Sequence, residues 1–175
     1  MRKLLIFLFL LFIVTGCAKD NTPKKEVQKL FSNYNNLSSD LLIQLDSVME
    51  SENLSEEQIK KYKEVLKRQY KDLKYKINDE IISQDSAIVS TEVEVYNLVK
   101  VIDDADEYLK NNKNEFYKDE VLDNEKFWDY KLDKMLKSNE RITYTVDFSL
   151  TKLDGKWTLD ELLETDRQKI HGLYK

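Results

Sequence analysis

One cysteine, one histidine, one proline and three glycines in 175 residues remove whole classes of function before any pattern is sought. A single cysteine cannot build a disulfide framework. Zinc sites draw on clusters of Cys and His, and the chain holds one of each. Nucleophilic catalysis of the Ser-His-Asp or Cys-His kind needs a base beside the nucleophile, and His171 is the only imidazole available. Gly16, Gly155 and Gly172 are too scattered to make a loop that cradles phosphate. Base does not outweigh acid: 28 Lys+Arg stand against 33 Asp+Glu, a formal charge of −5. Binding to a phosphate backbone rests on clustered Lys and Arg, so no nucleic-acid partner is expected, and no cofactor or metal.

What is present describes an address and a fold. At 35% charged and 41% hydrophobic the chain is too apolar for a disordered polyelectrolyte and too polar for a multi-span membrane protein. Arg2 and Lys3 precede an unbroken apolar run from Leu4 to Val14, which ends in Thr15-Gly16-Cys17. Basic start, apolar middle and small residues at the cut are the order of a secretory signal. The run covers eleven residues, whereas a spanning helix needs about 20. It therefore reads as a cleaved leader over residues 1–16.

Val14-Thr15-Gly16-Cys17 resembles the lipobox of bacterial lipoproteins: a branched apolar residue, a small residue, Gly or Ala, then Cys. The resemblance implies that the Cys17 thiol receives a diacylglyceryl group and that Cys17 becomes the mature N-terminus. It also implies a membrane partner and a place on the extracytoplasmic face of the cell membrane. The mature part would carry 26 bases against 33 acids, a formal charge of −7, which keeps an exported body soluble and leaves the holding to the lipid. Residues 17–25 are polar, contain the only proline, Pro23, and read as lipidated Cys and tether. Residues 26–175 read as one α+β domain.

Within that domain the hydrophobic period changes four times. Val27, Leu30, Tyr34, Leu37, Leu41 and Val48 form a helical stripe interrupted at Gln44, with a break possible near Asn35-Asn36 and Ser38-Ser39. Ser55 and Gln58 form a capping box that opens another helix through Ile59, Tyr62, Leu66, Gln69 and Leu73, with Leu54 placed to staple on Ile59. Tyr75, Ile77, Asp79 and Ile81 alternate weakly, Gln84-Asp85-Ser86 offers a turn, and Ala87, Val89, Thr91, Val93 and Val95 alternate strongly. Leu98, Val101, Ile102, Ala105, Tyr108 and Leu109 return to a helix that breaks at Asn111-Asn112. Phe127, Trp128, Leu132, Met135 and Leu136 form a further helical face. Ile142, Tyr144, Val146, Phe148 and Leu150 make a strand, Asp154-Gly155 a tight turn, and Lys156 to Leu159 the returning strand. Thr165 is placed to cap a last short helix, with His171 near its end as a helix-end cation and Gly172 just past it.

Two hairpins with helices between them, behind a helical start, imply N-terminal helices packed on a curved, cone-like antiparallel sheet. The segments Ala87 to Leu98 and Thr145 to Glu161 resemble the sheet-forming half of exported lipoproteins with a nuclear transport factor 2-like, or ketosteroid-isomerase-like, fold. The long helical start departs from the compact pattern of that family. No position matches the catalytic motifs of its enzymes.

Chemistry-bearing residues are few. Asp103, Asp104, Asp106 and Glu107 spread around a helix and read as a solvated face. Trp128, Tyr144 and Trp157 are candidates to line a pocket, although aromatics at such positions more often pack the core. The expected function is a lipid-anchored, non-enzymatic binding or interaction module of the cell envelope, its partner an envelope protein or a small ligand. A small pocket enzyme of isomerase or dehydratase type is the first alternative, and a helical scaffold subunit the second. A pocket enzyme should hold a buried acid beside an aromatic cavity, a scaffold should expose an apolar helical stripe, and a binding module should show a concave cleft.

Overall fold

The computed structural model describes residues 21–50 and 54–175, the side chains of 47–50 excepted. The leader over 1–16, Cys17 with the first part of the tether, and the side chain of Val48 lie outside the described residues. Helix α1 (Pro23–Asn35) starts under Thr22, whose side chain accepts the backbone N–H of Lys25, and Pro23 sits in the first turn, where its missing N–H costs nothing. The helix thus takes in Pro23, Lys24 and Lys25, three positions that the sequence assigned to the tether. Val27, Phe31 and Tyr34 form its buried stripe.

The expected break is real. Leu37 at φ 49° turns the chain into α2 (Ser39–Glu50). Asn35, a weak helix former, ties two helices together, because its side-chain amide donates to the carbonyls of Tyr70 and Leu73, both at 2.9 Å. It thereby satisfies groups that the end of α3 (Glu56–Lys71) would leave open. The capping box at Ser55 and Gln58 is formed in both directions.

Strands β1 (Lys74–Ser83) and β2 (Ser86–Tyr96) pair antiparallel, with a bulge between Ile77 and Asp79. Strand β2 alternates as its sequence does, burying Ala87, Val89, Thr91, Val93 and Val95. The chain then leaves the sheet for an insertion: α4 (Leu98–Asn111), the single turn α5 (Lys113–Phe116), two short strands β3 (Tyr117–Lys118) and β4 (Val121–Leu122), and α6 (Asn124–Lys137). It returns as β5 (Arg141–Leu153), which pairs with β2, and β6 (Lys156–Leu159). Asp154 at φ 50° and Gly155 at φ 78° make the tight turn. The sheet order is β1-β2-β5-β6, so the sheet is open, with β1 and β6 as its edges.

Helix α7 (Glu164–His171) closes the chain. Leu163, not Thr165, holds its N-cap position, and no side chain caps there. The acids Glu164 and Asp166 occupy the first turn, where negative charge meets the helix dipole, so the helix begins before Thr165 and takes it in. Gly172 at φ 71° ends it in the left-handed conformation, as expected.

The architecture is α+β, with helices on one face of the sheet and helices inserted between two hairpins. The main core joins α1, α3 and α7 to the sheet; Phe31 stacks on Tyr75 at 4.3 Å and meets Phe148 edge-on at 5.5 Å. A second cluster holds Val65, Tyr96, Leu98, Leu132 and Met135 where α3, α4 and α6 meet. A third is aromatic, with Phe116 and Phe127 beside Ala105.

Candidate functional site

Helices α4 and α6 pack against each other, and an open groove of about 420 Å³ lies between them. That volume lies within the range of small-molecule sites. Spacings of three and four along α4 put Val101, Asp104, Ala105 and Tyr108 on one wall. Tyr130, Lys134 and Lys137 of α6, with Ser138 just past its end, form the other. Tyr108 and Tyr130 stack across the groove, ring centroids 4.9 Å apart and planes within 15°. Phe116 meets both edge-on, which holds the pair in place. The Tyr108 hydroxyl donates to Glu115 at 2.9 Å, and that bond keeps its proton on beyond the usual phenol range.

The charges divide sharply. Asp104 is exposed and pairs with Lys100 at 2.7 Å. Lys134 and Lys137 have no carboxylate within ion-pair distance among the described residues; Lys134 lies 5.1 Å from the Tyr130 ring centroid. One helical turn earlier, Lys131 lies over Phe127 and Trp128, at 4.7 and 4.1 Å, and burial pushes its ammonium below the ordinary lysine range. Asp106 pulls the Lys131 ammonium weakly the other way, so the groove itself carries two lysines without acid partners, Lys134 and Lys137, facing the paired Asp104.

The aromatics singled out from sequence lie elsewhere. Trp128 is half-buried in the second cluster under Lys131. Tyr144 stands on β5 and donates its hydroxyl to the Tyr174 carbonyl at 2.8 Å. Trp157 is buried in the main core from β6. The structure does not bring these three together, and none of them lines the α4–α6 groove. The groove residues were present in the sequence as Tyr108 on the α4 stripe and as lysines at positions 131, 134 and 137. Only the packing of α4 on α6 shows that Tyr108 faces Tyr130.

His171 is not the helix-end cation expected. Its Nδ1 lies 2.7 Å from the Tyr70 hydroxyl, and its pKa is lowered to about 4, chiefly by burial, which outweighs an upward pull from Glu164 and is aided by a smaller downward one from Arg167. The imidazole is neutral and structural. Beside it, the Gln69 amide accepts the Tyr96 N–H at 2.9 Å and donates to the carbonyls of Tyr96 and His171 at 3.1 and 2.8 Å. This buried node ties α3, β2 and α7 together. Among the described residues, no group of three or more His, Cys, Asp or Glu is placed to hold a metal ion, and no helix is long and apolar enough to cross a membrane.

No protein-family model matches the chain, and no curated protein does. A solved structure that does match is ycdA of Bacillus subtilis, provisionally described as a lipoprotein, at 17% identity over 81% of this chain with a TM-score of 0.44. The chain spans about half of that protein's length, 47%.

Proposed function

We propose that this protein is a lipid-anchored binding module on the extracytoplasmic face of a bacterial membrane, and that its groove between α4 and α6 takes a small anionic organic ligand. The anchor reading rests on Val14-Thr15-Gly16-Cys17 behind an apolar run, with the only cysteine of the chain at the position the lipobox requires. Two acyl chains on one cysteine give stable attachment where one would bind only marginally. Two hairpins flanking inserted helices support the further likeness to nuclear transport factor 2-like exported lipoproteins.

The observation that carries the binding reading is the pairing of Lys134 and Lys137, without acid partners, with a groove floored by stacked tyrosines. Apolar walls hold the body of a ligand, and the ammonium groups favour a carboxylate, sulfonate or phosphate on it. The enzyme alternative asks for a buried acid beside the cavity, and the acid in the groove wall, Asp104, is exposed and paired. The scaffold alternative asks for an exposed helical stripe, and Val27, Phe31, Leu66 and Tyr70 are packed inside the domain.

Anilinonaphthalene sulfonate, an aromatic anion, tests the reading against phenylnaphthylamine, the same rings without charge. The purified domain should bind the sulfonate at one site, and Lys134→Gln with Lys137→Gln should weaken that binding about tenfold, since two exposed ion pairs contribute at most about 2 kcal/mol. Phenylnaphthylamine affinity should stay unchanged. Equal response of both probes to the double substitution, or none, removes the claim.

A further inference from the structure

The place where the chain enters the fold shows which end of the domain meets the bilayer. Asn21 seals the free edge of β6: its amide donates to the Trp157 carbonyl at 3.1 Å and its carbonyl accepts the Trp157 N–H. Three residues on, the backbone N–H of Lys24 donates to Glu80 of β1 at 3.1 Å, and the Lys24 ammonium lies 3.5 Å from the same carboxylate. The first turn of α1 therefore runs across the end of the sheet that carries both hairpin turns. Those turns are themselves joined, since the Lys152 N–H donates to the Asp85 carbonyl at 2.7 Å.

That same end is where apolar side chains face outward. Ile81 is 61% exposed, Ile82 52%, Ile88 46% and Leu153 59%. Ile81 and Ile88 are cross-strand partners beside the first turn, and Leu153 begins the second. They are four of the nine large exposed hydrophobics among the described residues, gathered at the turn end of three strands. Lys152 and Lys156 stand beside Leu153 at the second turn, while Lys24 is paired with Glu80 and Glu26 lies at the same end against Asn21.

We propose that the ends of the β1–β2 and β5–β6 hairpins dock on the bilayer, with Ile81, Ile82, Ile88 and Leu153 entering the interfacial layer and the neighbouring lysines meeting anionic headgroups. The proposal rests on the lipid anchor at Cys17. Only four residue steps separate Cys17 from Asn21, which reach at most about 14 Å. The headgroup layer is itself roughly 5 to 8 Å thick on each side, and a connection this short holds this end of the domain at the membrane surface. Apolar tips with lysine stems beside them suit that boundary, where the stems lie along the acyl region and the ammonium groups stay among the headgroups.

The anchor supplies the test, because acylation blocks Cys17 and makes any added cysteine unique. Ile82→Cys, Leu153→Cys and, as a control in the insertion, Lys113→Cys are purified from membranes with their lipid. Each is labelled with a nitrobenzoxadiazole thiol dye and placed in phosphatidylcholine/phosphatidylglycerol vesicles. Dyes at 82 and 153 should be quenched by doxyl-labelled lipid and should show about threefold lower quenching by aqueous iodide than the dye at 113. Replacing Ile81 and Ile88, both exposed, by Ser should restore iodide access at 153. One dye per chain with equal iodide quenching at all three positions overturns the docking proposal alone. Protection from iodide without quenching by doxyl lipid means that a protein neighbour covers the surface, and also overturns it. Two dyes per chain mean a free Cys17 thiol, which overturns the anchor and the docking with it.

Discussion

Lowering the pH from 7 to 5 should unfold this protein more easily through one side chain. His171 is the only histidine, and its pKa falls from 6.5 to about 4 in the fold because the ring is buried against Tyr70. A lowered histidine pKa means that the unfolded chain binds a proton the folded chain refuses, so stability falls as pH drops from about 6.5 toward about 4. Above that window the two states carry the same neutral ring, and nothing is lost. Those two pKa values give a loss of about 2 kcal/mol between pH 7 and pH 5. Between pH 7 and pH 5 the loss is chiefly that of His171, because Glu94 and Glu164, whose pKa values are lowered in the fold, cost stability mainly below the ordinary glutamate value of 4.5. Urea titrations followed by tryptophan fluorescence at pH 7, 6 and 5, on wild type and His171→Gln, read the effect directly. The wild type should lose about 1 M in midpoint, given a urea slope near 2 kcal/mol per M. The variant should lose less than about a quarter of that, whatever its starting stability. Parallel losses in the two proteins would refute the burial argument for His171.

Three further perturbations test the packing. A Cβ at Gly172 would fall inside contact distance of the Tyr96 carbonyl and 2.5 Å from Gln69 Nε2, at a φ of 71°, so Gly172→Ala should destabilise by about 4 kcal/mol or more in the same urea assay; a loss below about 1 would show that the chain end is free to move. Gln69→Leu strips three hydrogen bonds from buried backbone groups and should cost about 3 kcal/mol; a neutral result would mean that water replaces the amide. Asn21→Ala opens the β6 edge and should cost about 1 to 2 kcal/mol, with faster amide exchange at Trp157; unchanged exchange there would contradict the placement of residue 21.

Much of the fold could be read from local signals, because its elements carry them. The capping box at Ser55, the alternation from Ala87 to Val95 and the Asp154-Gly155 turn each follow from a few neighbouring residues. The short strands β3 and β4 escaped notice because their turn uses Asp119 and Glu120, both at positive φ, where a sequence reading looks for Gly or Asn. Thr165 looked like a cap because its hydroxyl suits one, yet acids on either side of it already suit the helix start. The groove was hidden for a different reason: Tyr108 and Tyr130 lie on separate helices, and their stacking depends on how α4 crosses α6. Burial of His171 likewise depends on Tyr70, about a hundred positions away in the chain.

The central claim is that this negatively charged domain is held outside the cell by lipid on a single sulfur. Intact-mass analysis of the protein extracted from membranes tests it most directly. The account predicts a chain beginning at Cys17 with a diacylglyceryl adduct, and loss of that species in Cys17→Ala. A chain retaining residues 1–16, or a mature chain with an unmodified thiol at position 17, would contradict it.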